Sequence, residues 1–162
     1  MNTVSYKITP MKFTPSVTLS KTSFVYNGKV QKPVVTVKNS KGKLPESYYS
    51  VSFSKGLTNV GTYSVVVRMK GNFTGSKSLT YKIIPKGSNI ISATGTNKQI
   101  TVKWSKQTAQ ITGYQIQYSK AYSFSSGTKT LTIANPGTVS KTINKPEAGK
   151  EYYLRIRTDK KV

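Results

Sequence analysis

Apolar and polar residues alternate with a period of two along most of the chain. That spacing sends successive side chains to opposite faces of a β-strand. Ser16-Val17-Thr18-Leu19-Ser20 alternates, as do Val35-Thr36-Val37, Val51-Ser52-Phe53 and Ser78-Leu79-Thr80-Tyr81-Lys82-Ile83. Residues 62–69 form a long run rich in β-branched side chains. The pattern resumes over residues 99–106, 113–120, 128–134, 139–143 and 151–158. No window carries the apolar stripe of a helix, so no helix is predicted. Turn residues punctuate the runs at roughly 8–12-residue intervals, the rhythm of a β-sandwich. Asn27-Gly28 reads as a tight hairpin turn. Ser40-Lys41-Gly42-Lys43, Asn59-Val60-Gly61 and Lys70-Gly71-Asn72 read as further turns, and Lys86-Gly87-Ser88-Asn89 as a short linker after Pro85.

One internal echo bears on organisation. Val4-Ser5-Tyr6-Lys7-Ile8-Thr9-Pro10 closely matches Leu79-Thr80-Tyr81-Lys82-Ile83-Ile84-Pro85. The second copy closes a full set of predicted strands. Residues 1–13 are therefore expected to be the closing strand of a preceding repeat, or a leader, and the chain an excerpt from a longer array.

Composition narrows the chemistry. The 162 residues contain no Cys and no His, and Glu46, Glu147, Glu151 and Asp159 are the only acids. Thiol nucleophiles, thiolate metal sites, the commonest general base and the commonest transition-metal ligand are all excluded. No Ser/His/Asp or Cys/His set can form. No catalytic, cofactor-binding or metal-binding residue is expected, and no cofactor. A Lys–Asn isopeptide bond needs a buried acid beside it, and Glu46 next to Pro45 is the only acid before Lys86.

The net charge is +22. Fourteen cations face one acid through Lys86, and twelve face three after it. Lysine dominates and falls on alternate strand positions and in turns, as on a solvated sheet face. The longest basic run is Lys160-Lys161. Anionic polymers are expected to bind loosely by counterion release, with no specific nucleic acid as partner. No apolar run approaches the roughly 20 residues of a membrane span, so no membrane insertion is expected.

Residues 15–86 resemble the bacterial Ig-like repeats that occur in tandem on Firmicutes surface proteins. The resemblance rests on Phe24-Val25-Tyr26-Asn27-Gly28-Lys29, Gln31-Lys32-Pro33, Tyr49-Ser50-Val51-Ser52-Phe53, Asn59-Val60-Gly61-Thr62-Tyr63, Gly71-Asn72-Phe73-Thr74-Gly75 and Leu79-Thr80-Tyr81-Lys82-Ile83, in family order. Residues 88–162 resemble a fibronectin type III domain. Val102-Lys103-Trp104 matches its second strand, Gly113 to Tyr118 its third, and Glu151 to Arg157 its sixth, with Tyr152 at the tyrosine-corner position. Counting by twos from Tyr152 puts Leu154 and Ile156 inward, and Tyr153, Arg155 and Arg157 outward. The family's last strand would fall beyond Val162. The resemblances imply an all-β fold of two Ig-like/fibronectin type III-like β-sandwiches in tandem, the second lacking its last strand. The implied divisions are 1–13, then 14–86 for the Ig-like domain, then 87–162 for the incomplete fibronectin type III domain.

The function implied is a non-catalytic structural or adhesive module of a bacterial extracellular, cell-surface or cell-wall-associated protein, a spacer or stalk with weak ligand binding. The expected partners are anionic cell-wall polymers such as teichoic acid, host or environmental glycans, and neighbouring domains of a longer chain. Two alternatives stand beside it: a carbohydrate-binding accessory of a secreted glycan-acting enzyme, and a nonspecific polyanion binder. Trp104 is expected in the core against Tyr114, not on a sugar. Tyr48, Tyr49, Tyr118, Tyr122, Phe124 and Tyr153 are the aromatics open to exposure. Tyr122, Phe124 and Tyr153 are the candidate ligand contacts.

Overall fold

The computed structural model describes residues 3–96 and 98–161. The chain divides into two compact units: residues 1–24 with 28–83, and residues 25–27 with 84–162. No helix among the described residues is long and apolar enough to cross a membrane.

The first unit is built from β1 (Met11–Lys12), β2 (Ser16–Leu19), β3 (Ser23–Val25), β4 (Val35–Asn39), β5 (Gly42–Lys43), β6 (Tyr49–Phe53), β7 (Gly61–Met69), β8 (Phe73–Thr74) and β9 (Ser76–Ile84). Among the described residues its sheets have the orders β2-β4-β5, β3-β9-β7-β6 and the small β1-β8. The period-two pattern acts most clearly in β7, where Tyr63, Val65, Val67 and Met69 are buried while Thr62 and Arg68 are exposed. Val17, Val37, Leu44, Tyr49, Val67 and Met69 form the core, with Phe13, Val35, Val51, Phe73 and Leu79 packed against it. A fully buried valine of this kind contributes about 1.5–3 kcal/mol. Beside this cluster, Tyr81 is ringed by Phe24, Phe53 and Tyr63 at centroid distances of 5.7, 6.5 and 5.7 Å.

Three details depart from the pattern-based expectations. Residues 3–10 read as a strand but enter no sheet, and Val4, Tyr6 and Ile8 stand in solvent. Pairing begins only at β1, which runs parallel to β8 with Met11 opposite Phe73. Asn27-Gly28 makes a turn, with Gly28 at φ 74°, but not a hairpin. The strands on either side of it, β3 and β4, belong to different sheets. Finally, Glu46–Tyr48 forms a single 3-10 turn, too short to carry the helical periodicity on which detection depends.

The second unit contains β10 (Ile90–Gly95), β11 (Gln99–Trp104), β12 (Gly113–Ser119), β13 (Lys129–Ile133), β14 (Ser140–Asn144) and β15 (Tyr153–Asp159). Its two sheets have the orders β10-β11-β14 and β13-β12-β15. Val102 and Trp104 of β11 and Tyr114 and Ile116 of β12 share one core with Ile111, Ile133 and Ile143. Trp104 is 1% exposed and meets Tyr114 edge-on at 5.5 Å, as expected for the lone tryptophan. The buried Tyr114 hydroxyl accepts from Gln107 N (2.9 Å) and can donate to the carbonyls of Gln107 (3.1 Å) and Pro136 (3.2 Å). Two connecting segments are thereby tied to the core. Residues 88–89, read as linker, belong to this unit. Ser88 is buried and donates to Ser105 O at 2.6 Å, and Ser105 Oγ accepts from Asn89 N at 3.1 Å.

Among the described residues, β2 and β5, β3 and β6, β10 and β14, and β13 and β15 end their sheets, and β1 and β8 form a two-stranded sheet of their own. Every lysine except Lys160 is exposed.

Candidate functional site

Strand β12 buries Tyr114 and Ile116, so Gln115 and Gln117 point the other way. Strand β15 turns Leu154 and Ile156 toward the core and Tyr153, Arg155 and Arg157 outward. Antiparallel register then sets Gln117 opposite Arg155 and Gln115 opposite Arg157. On the other flank, Thr130 and Thr132 of β13 stand opposite Gln117 and Gln115. The rows are hydrogen-bonded across the strands. Gln117 Nε2 donates to Thr130 Oγ1 (3.2 Å), and Gln117 Oε1 accepts from Arg155 Nε (2.7 Å). Gln115 Oε1 accepts from Arg157 Nε at 2.9 Å. Both guanidinium groups are held by neutral amide oxygens, a weaker partner than a carboxylate.

The loop after β12 folds over one end of this face. Buried Ser119 anchors it: its hydroxyl donates to Ser126 O and accepts from Ala121 N, both at 3.0 Å. Phe124 N donates to Ala121 O (3.0 Å), and Thr128 Oγ1 donates to Phe124 O (2.9 Å). Phe124 sits at φ 54°, the left-handed region that costs a side-chain-bearing residue about 1–2 kcal/mol. Its ring lies under the Arg155 guanidinium at 4.2 Å, an exposed cation–π contact worth only about 0.5–1 kcal/mol. Tyr122 is 80% exposed and meets Tyr153 at 5.3 Å, edge to face. The Tyr153 hydroxyl donates to Glu151 Oε2 at 2.8 Å. That hydrogen bond, reinforced by the Glu151 charge, raises the phenol above its ordinary range. Lys120 and Glu147 pair at the loop's base at 2.8 Å.

The fold therefore gathers all three candidate contacts: Tyr122 against Tyr153, and Phe124 against Arg155, the next outward residue on β15. The other aromatics separate from them. Tyr49 is 5% exposed and belongs to the first unit's core, correcting its place among aromatics open to exposure. Tyr48 packs on Phe73, and Tyr118 packs on the second core and on Tyr152. The Tyr152 hydroxyl accepts from Glu147 N at 3.0 Å, five residues upstream, as a tyrosine corner requires. Glu46 is exposed, so it provides no buried acid for an isopeptide bond. Among the described residues no three acids cluster to hold a metal ion. Arg155, Gln115 and Gln117 were not singled out as contacts from sequence. Their joint placement depends on a register that joins residues 38 and 42 positions apart.

Residues 85–162 match the family model described as fibronectin type III domain. No curated protein sequence matches the chain. Among solved structures, the two fibronectin type-III domain segment from chicken tenascin is similar at 13% identity. The match covers 91% of this chain and 91% of that one, with a TM-score of 0.50. The FN1-FN3 domains of chicken CNTN1 are 16% identical over 94% of this chain and 63% of that one, with a TM-score of 0.40. The tenascin likeness bears on the fold alone: an all-β, fibronectin type III-like sandwich.

Proposed function

We propose, taking the fibronectin type III fold of residues 85–162 as premise, that this chain is a non-catalytic structural and adhesive module. It serves as a spacer or stalk in a bacterial protein exposed outside the cell or bound to its wall. Fibronectin type III modules are generally structural or adhesive, typically outside cells. The Ig-like reading of residues 14–86 belongs to the same proposal.

One observation carries the mechanical part. Lys82 N donates to Thr22 O (3.0 Å) and Tyr26 N donates to Ile84 O (2.8 Å). The partners advance together, so β3 runs parallel to β9 beside it. Tension pulling β3 toward its N-terminal end and β9 toward its C-terminal end would slide the two strands past each other. Their hydrogen bonds would then be loaded together instead of being unzipped in turn. On its other side β9 is held by β7, in register from Gly61 opposite Ile83 to Arg68 opposite Ser76.

Single-molecule stretching from the two ends tests this. Lys82→Pro deletes the N–H that bonds Thr22, whereas Lys82→Ala keeps it. The proline chain should open at a clearly lower force than the alanine chain, which should match the parent. Equal forces for all three would overturn the mechanical reading. The exposed lysines suit anionic wall polymers as loose partners, and that binding should collapse as salt rises.

A further inference from the structure

We infer that the outer face of the β13-β12-β15 sheet is a binding site for an acidic saccharide, one sugar ring resting on Tyr122 and Tyr153 and a carboxylate meeting Arg155 or Arg157. The inference rests on the adhesive reading above and gives it a ligand class.

Four observations converge on this face. Tyr122 contributes nothing to a core, since it is 80% exposed and, among the described residues, its ring meets that of Tyr153. Aromatic rings held in this way offer apolar faces to the C–H side of a pyranose. Secondly, Phe124 occupies a left-handed backbone position that glycine or asparagine would take more easily. The loop's hydrogen bonds run through Phe124 N and O, so they need no aromatic side chain. The ring's cation–π contact is the Arg155 guanidinium, whose Cζ stands 4.2 Å from the ring centroid. Thirdly, Arg155 is tied to Gln117 Oε1 by Nε alone and Arg157 to Gln115 Oε1 by Nε and Nη2, which leaves both Nη groups of Arg155 and Nη1 of Arg157 for a carboxylate. Among the described residues neither arginine forms a salt bridge with a carboxylate; the ion pair beside the loop is Lys120–Glu147. Finally, the rows of glutamine and threonine beside the arginines suit a ligand with many hydroxyls. Such rows do not form the continuous cationic track that a nucleic-acid backbone follows.

The test uses the full chain and an oligosaccharide of uronic acids, with its carboxyl-reduced form as the neutral probe. Glycerol-phosphate oligomer and single-stranded DNA complete the set, all titrated at about 150 mM salt, where the screening length is about 8 Å. The uronate should bind at least tenfold more tightly than the reduced form. Tyr122→Ala and Arg155→Gln should each lower that affinity tenfold or more, while Lys77→Ala, in the first unit, leaves it unchanged. Phe124→Gly should lower affinity too, without lowering the melting temperature. Equal losses for the Lys77 change and the face variants would mean diffuse charge attraction and overturn the site. Tighter binding of glycerol phosphate or DNA through the same residues would overturn the saccharide assignment. A face that binds none of the probes sinks this inference while leaving the stretching result, and hence the stalk, untouched.

Discussion

A Cβ built on Gly113 would lie 1.9 Å from the carbonyl oxygen of Ile133 and 3.2 Å from Cα of Ala134. These are backbone atoms at and just past the end of β13, facing the start of β12, so no side chain can swing aside to make room. Gly113→Ala should therefore push the two strands apart and cost about 3 kcal/mol, at the upper end of overpacking penalties. A urea midpoint within error of the parent's would refute this reading of the glycine.

The buried phenol of Tyr114 and the exposed one of Tyr152 make a matched pair. Tyr114→Phe strips Gln107 N of its acceptor in the core and should cost about 1–2 kcal/mol. Tyr152→Phe removes a single solvent-edge bond to Glu147 N and should cost less, about 0.5–1 kcal/mol. Denaturant melts of both variants decide it, and the reverse ranking would show that Tyr114's hydroxyl is not the hub of its two loops.

Two glycines flanking β8 in the first unit separate backbone strain from collision. Gly71 has φ +66° with nothing near its missing side chain, while Gly75 has φ +135° and a Cβ there would lie 2.4 Å from Phe13 O. Gly71→Ala should cost about 1 kcal/mol, the strain alone. Gly75→Ala should cost at least twice that and should release the segment around Phe13, seen as faster amide exchange at Phe13 N. Equal costs would mean that the close approach to Phe13 carries no weight.

The Lys120–Glu147 pair sets a pH dependence at both extremes. Its hydrogen bond and charge hold Glu147 below its ordinary 4.5 and Lys120 above its ordinary 10.5. The depressed acid stabilises the fold above pH 4.5, and that contribution is lost as pH falls through its lowered folded value. The raised amine stabilises below pH 10.5 and loses its part as pH climbs through the folded value. Both groups are exposed, so the effect is small. Glu147→Gln should flatten the acid arm of a melting-temperature profile, and an unchanged arm would show that the pair is fully screened.

Much of the fold could be read from period-two spacing, because one side of each sheet is dry and the other wet. Tyr63, Val65, Val67 and Met69, and Trp104 with Tyr114, landed inward for that reason. Chain crossing between sheets has no such signature. Asn27-Gly28 carries the same local signal whether the next strand pairs with the last one or leaves for the opposite sheet. Residues 3–10 alternate as well as β9 does, yet alternation only prepares a strand, and hydrogen-bonding partners complete it. At the candidate site the aromatic loop was legible in Tyr122-Ser123-Phe124, and the outward arginines in counting from Tyr152. The glutamine that grips Arg155, 38 positions earlier, was not, since register is a property of the folded pair. Nor does a phenylalanine announce a left-handed backbone, which in sequence is the mark of glycine or asparagine.

The lysines carry a consequence for how copies of the chain meet. Sheets in both units end in strands, β6 and β13 among them, that offer an edge onto which a neighbouring molecule could zip. With nearly every ammonium group in water and four carboxylates to offset them, two approaching copies repel before such edges can touch. Concentrated salt shrinks the reach of that repulsion to about 3 Å at 1 M. The chain should then behave as a colloid stripped of its charge barrier, clear in dilute buffer and clouding as salt is added.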